Sequence, residues 1–298
     1  MKIQKLTHFL MAIAWFGLLA QTQAVAPLPD GCYPGFTTAE GCNALQSLTT
    51  GAGNTAVGWY PLFGTSTGSY NTALGAGTLV LNNGDSNTAT GAAALLLNTT
   101  GTENTAIGTD AMVYNDIGND NTAVGAFSLF SNTTGVANTA SGDRALFSNS
   151  GGNLNTASGF FALHDNTTGV GNTASGASAL QHNTTGALNT AIGGNALMSN
   201  TEGDENTATG ANALSSNTDG EHNTAIGANA LAANTSGSHS TAIGWGALAL
   251  SNTIGNNTAI GESALSSTTN GDLNTAVGMD ALAANNMAAP IQPSGTVR

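Results

Sequence analysis

The sequence predicts an all-β fold, a parallel β-solenoid of about fifteen 17-residue coils. Three observations carry that prediction. First, an Asn-Thr-Ala motif recurs every 17 residues over most of the chain, with one step of 16 between Asn71 and Asn87. A fixed short period means stacked equivalent units. Second, that period is too short for paired helices, which need about 33 residues, and shorter than the 20 or more of leucine-rich units. Third, the repeat unit carries two glycines that can serve as corners. The consensus is N-T-A-x-G-x-x-A-L-x-x-N-T-x-G-x-x, and a degenerate first copy starts at Thr37.

Taken in order from the N-terminus, the first segment stands apart. "MKIQK" is basic, "FLMAIAWFGLLA" is apolar, and "QTQA" ends on a small residue. This is the plan of a secretory signal peptide over 1–24, with cleavage expected after Ala24. The apolar run is short for a span, which needs about 20 residues. The remaining chain is therefore expected to be secreted, extracellular or at a cell surface, with no membrane span. Residues 25–36 are read as an N-terminal cap segment, 37–290 as the solenoid and 291–298 as a C-terminal tail. Export favours oxidised thiols, so Cys32 and Cys42 are expected to form a disulfide; a CxxC spacing is absent.

Within each coil, every recurrent position has a physical reading. Coils should pair through backbone hydrogen bonds at about 4.8 Å, giving a rod about 70 Å long. The Gly of "TAxG" occurs in all fifteen copies and marks a corner that rejects a side chain or needs positive φ. The second Gly marks another corner. Asn at the first and twelfth positions can satisfy turn backbone and stack on its own copies. Leu at the ninth position, replaced only by Met112, is expected to be the main interior column. The "ALxxN" segment is open between a short strand and one helical turn.

Strand side chains alternate, so the Ala of "TAx" faces one way and its two neighbours the other. The Ala never varies, whereas the fourth position accepts Ser at 141, 158 and 175. This favours Ala inside and an outward strip of two columns, with the opposite register as the alternative. The candidate ligand or interface strip is Thr105, Ile107, Thr122, Val124, Thr139, Ser141, Thr156, Ser158, Thr173, Ser175, Thr190, Ile192, Thr207, Thr209, Thr224 and Ile226. A flat, uncharged strip of this kind is a contact surface or simply a solvated β-face.

Charge excludes some partners. After removal of residues 1–24, only Arg144 and Arg298 remain as strong bases against seventeen acids. Nucleic acid is not expected, because phosphates are held mainly by Lys and Arg. Catalysis, cofactors and a metal are not expected either. No nucleophile elbow or phosphate loop occurs in a strand-to-helix setting. His222 and His239 share the seventeenth position of adjacent copies and can stack, without the further ligands of a usual metal set. Glu103, Asp120, Asp204, Glu205, Glu221 and Asp272 crowd one edge, which reads as solvated rather than calcium-binding. Sequons at Asn98, Asn132, Asn166 and Asn183 are by-products of the repeat.

The repeated "NTAIG", with its glycine corners and "AL" segment, resembles the head repeats of trimeric autotransporter adhesins and related bacterial surface and phage fibre repeats. The likeness spans 37–290 but rests on one five-residue motif, and the adhesin period is shorter. It implies a β-roll that binds an extracellular surface or matrix and forms a homo-oligomer, a trimer. The closing "NNMAAPIQPSGTVR" carries no heptad stalk or anchor strands, so a head-like array without its own anchor is expected. "NTAVG" and "NTASG" are also loosely similar to ice-binding β-solenoids with ranks of Thr, Val and Ser. Only Thr90 and Thr209 complete their Thr-x-Thr pattern here.

Overall fold

A computed structural model describes residues 35–253, 255–269 and 271–284. The expected signal peptide, Cys32 of the expected disulfide, most of the cap segment and the tail lie outside these residues; Cys42 is half-buried. The described chain is all-β. Fifteen three-residue strands, from β1 (Thr38–Glu40) through β8 (Thr156–Ser158) to β15 (Thr275–Val277), pair only with their neighbours in one parallel sheet. About fourteen turns of a β-solenoid result, as the period predicts.

Register is exact to the residue type: Thr pairs with Thr and Ala with Ala at every step, as in Thr156↔Thr173 and Ala157↔Ala174. The Ala faces inward. From Ala56 to Ala276 every strand Ala is fully buried, and the flanking residues are half-buried or exposed. This is the register preferred from sequence. Small strand side chains on one wall leave room for the larger Leu of the other wall. The interior is a continuous stack of two Ala columns and the Leu column, including Leu146, Leu163 and Leu180.

The "ALxxN" segment is neither strand nor helix. Its seventh and ninth positions take left-handed backbone, with φ of 58° at Phe161 and 52° at Leu163. A bulky residue there costs about 1–2 kcal/mol. The compensation is visible in coil eight. Phe161 N–H donates back to Asp143 O at 3.2 Å, and Leu163 N–H donates forward to Ala179 O at 3.0 Å. Ala162 N–H and Asn166 N–H close tight turns within the coil on Gly159 O and Leu163 O. Reversing the peptide at each step tucks Leu163 inside while keeping the backbone paired in both directions.

The two glycines are needed for different reasons. Gly159 has φ of 140°, and an added Cβ would sit 2.6 Å from Gly176 O of the next coil. Gly169 has ordinary φ, but its Cβ would lie 2.5 Å from Gly186 O and strike Asn166 as well. Both columns stack backbone on backbone. The 16-residue step is absorbed at the second corner: Asn82 Nδ2 reaches Gly84 O two residues on, where Asn98 reaches Gly101 O three residues on, both at 2.9 Å. Strand register passes through unshifted, with Thr72↔Thr88 and Ala73↔Ala89.

Candidate functional site

The outward strip is built from beneath by two columns of buried Asn. Asn at the first position accepts, through Oδ1, from the backbone N–H and the Nδ2 of the next rung, as Asn155 Oδ1 does from Asn172 at 3.0 and 3.2 Å. Its own Nδ2 reaches across the coil, from Asn155 to Gly169 O at 2.8 Å. The second column runs through the twelfth position, where Asn183 Nδ2 donates to Asn166 Oδ1 at 2.8 Å and to Gly186 O at 2.9 Å. Gly186 O thus accepts from Asn172 and Asn183 together. In coils three to twelve this clasp closes the coil just before the next strand and holds neighbouring strands in step.

The orphaned atoms confirm how tightly the second ladder is specified. Among the described residues, the buried side-chain polar atoms without a partner are Thr65 Oγ1, Asn234 Oδ1, Ser251 Oγ and Thr268 Oγ1. All four lie in this one column. Thr65, Ser251 and Thr268 stand where other coils have Asn, and Asn234 is the last Asn before Ser251, so its Oδ1 has no donor above it. The sequons at Asn98, Asn132, Asn166 and Asn183 are rungs of the same ladder and fully buried, which closes their amides to modification in the folded state.

On this frame the strip residues come together as expected from sequence. Thr105, Thr122, Thr139, Thr156, Thr173, Thr190, Thr207 and Thr224 form one in-register column. Ile107, Val124, Ser141, Ser158, Ser175, Ile192, Thr209 and Ile226 form the second, parallel to it. Ile192 is 46% exposed and Val277, at the C-terminal end of the column, 56%. In coils seven to nine both columns bear hydroxyls, and all six side chains are exposed. Glu40 is the sole charged residue in any of the fifteen strands.

Two further groupings are legible only after the sequence is folded at its period. Residues at the sixteenth position cap the preceding coil: Asp204 Oδ1 accepts from Ala187 N–H, Asp272 Oδ1 from Gly255 N–H and Asp85 Oδ1 from Ser69 N–H. Part of the acidic edge is therefore engaged with backbone. Away from the strip, Arg144 lies between the rings of Phe127 and Phe161, 5.3 and 5.5 Å from their centroids, and pairs with Asp143. Beside it Phe130, Phe147 and His164 stack at 5.0 and 5.1 Å. Their 17-residue spacing was the signal.

Asp165 bridges two histidines, 2.6 Å from His164 Nδ1 and 2.7 Å from His182 Nδ1. Partial burial pushes its carboxyl up, but the hydrogen bonds from His182 and His164 and their charge outweigh that and hold it below the usual carboxylate value. His222 and His239 stack at 4.9 Å. Among the described residues no group of three or more His, Cys, Asp or Glu is placed to hold a metal ion, and no helix is long and apolar enough to cross a membrane.

Comparison with protein-family models and with curated proteins finds no match to this chain.

Proposed function

We propose that this chain is a secreted or cell-surface structural or adhesive repeat protein, without enzymatic activity, whose Thr/Ile/Val/Ser strip serves binding or self-assembly. The observation that supports this reading is the strip itself. Two outward columns run in register along the whole sheet, carry one charge at the first strand only, and present exposed Ile and Val that the fold does not need for its own core. The likeness of "NTAIG" to adhesin head repeats points the same way. The test is binding of the purified chain to extracellular-matrix-coated and cell surfaces. Replacing Thr190 and Thr224 by Tyr should reduce binding at least about tenfold; unchanged binding would remove the strip from the reading.

The hydroxyl segment favours a second reading, ice binding. Thr139, Ser141, Thr156, Ser158, Thr173 and Ser175 form a regular grid of exposed hydroxyl groups. Thermal hysteresis in the parent, lost on Thr156→Tyr at the centre of this grid, is its signature. A parent that shows no hysteresis at millimolar concentration removes it.

A further inference from the structure

We propose that the partner of the strip is a second copy of this chain, paired face to face along the length of the sheet. The inference rests on the strip being a contact surface and names what it contacts.

Three observations argue for self-pairing. The first is charge. The chain carries a net charge of −13, yet among the described residues Glu40 is the only acid in a strand. Two copies repel over most of their surfaces, and the strip is where they can approach with least repulsion. The second is chemistry. Exposed Ile107, Val124, Ile192, Ile226, Ile243 and Ile260 line one column, and a matching column of the same chain removes both from water. The third is area. Fourteen steps of about 4.8 Å by two outward side chains, about 10 Å, give roughly 700 Å² per copy. Two copies bury roughly 1,400 Å², within the range of stable, specific interfaces.

Face-to-face pairing through one shared strip sets the stoichiometry. One strip that serves both partners makes an isologous contact, which closes at two copies. A three-fold assembly needs each chain to offer two different patches. The pair is therefore a dimer, in contrast to the trimer implied by the adhesin likeness.

The test is the mass of the purified full chain by sedimentation equilibrium, with small-angle scattering for shape. A dimer is expected that keeps the roughly 70 Å length of one array and doubles its cross-section. Ile192→Glu/Ile226→Glu/Ile243→Glu should weaken it at least about 100-fold, because carboxylates are then buried in the contact without partners. Circular dichroism checks the fold, and Ile192→Thr/Ile226→Thr/Ile243→Thr gives a neutral control, Thr being native to this column at Thr209. That control should weaken the dimer by a smaller factor.

A monomer at all concentrations, a trimer, an end-to-end dimer of doubled length, or a dimer indifferent to the glutamates would each overturn the proposal. A monomer whose surface binding still falls in the Thr190→Tyr/Thr224→Tyr variant overturns self-pairing and leaves the adhesive reading standing.

Discussion

At the scale of single residues, the molecule is governed by carboxamides. Asn166 is typical: its Nδ2 donates to Asn149 Oδ1 at 2.8 Å, and its Oδ1 accepts from Asn183 Nδ2. Asn166→Ala strips Asn149 of its donor in a fully buried setting, which should cost about 1–3 kcal/mol, read as a lower denaturation midpoint. The reverse change is available where the ladder already fails. Ser251→Asn places an Nδ2 above the orphaned Asn234 Oδ1 and should stabilise by about 1 kcal/mol. No gain in denaturation midpoint would show that the site is too cramped for an amide.

The Asp165 bridge belongs to the same scale. Its carboxyl titrates below the usual value in the folded chain. A depressed carboxyl stabilises the fold above its unfolded pKa, and that contribution disappears as pH falls through the folded one. Stability should therefore drop below about pH 4, and Asp165→Asn should flatten that part of the profile in a pH series of denaturation midpoints.

At the scale of the coil, corners and strand differ in what they tolerate. Coil three is one residue short in its second corner, yet β3 (Thr72–Leu74) and β4 (Thr88–Thr90) remain in register. Deleting Thr168, at the equivalent corner of coil eight, should leave register intact and cost no more than about 1 kcal/mol. Deleting Ala157 should be far worse. A one-residue slip in a strand turns the buried face outward, and it would set Ser158 against the Leu column. Loss of the cooperative transition in the Ala157 deletion, and its retention in the Thr168 deletion, is the expected pair of results.

At the scale of the whole array, stability is a sum over coils and their contacts. The two Asn ladders run together through the middle coils, but Ser240, Ser251 and Thr268 interrupt them towards the C-terminus. Hydrogen exchange should therefore be slowest in coils four to eleven and fastest in the last three, since local opening follows the weakest contacts. Uniform exchange along the array would show that the ladders contribute little beyond the backbone pairing.

Much of this was legible in the sequence, for a definite reason. A period of 17 with an unvarying Ala and Gly in the strand motif and a nearly constant Leu leaves only stacked coils as a way to bury the same side chains each time. The tolerance of Ser at 141, 158 and 175 told which strand face looks outward, because hydroxyls are not repeatedly buried without partners. The backbone of "ALxxN" was not legible, since nothing in a Leu announces φ of about 50°; that conformation is imposed by hydrogen bonds to the coils on either side. The Phe127–Arg144–Phe161 sandwich, the Asp204 cap and the four orphaned atoms likewise exist only between coils. The sequence by itself determined what each coil buries and exposes. The tertiary structure decided how one coil meets the next, because those contacts join residues 15 to 18 apart that only the stacking brings together.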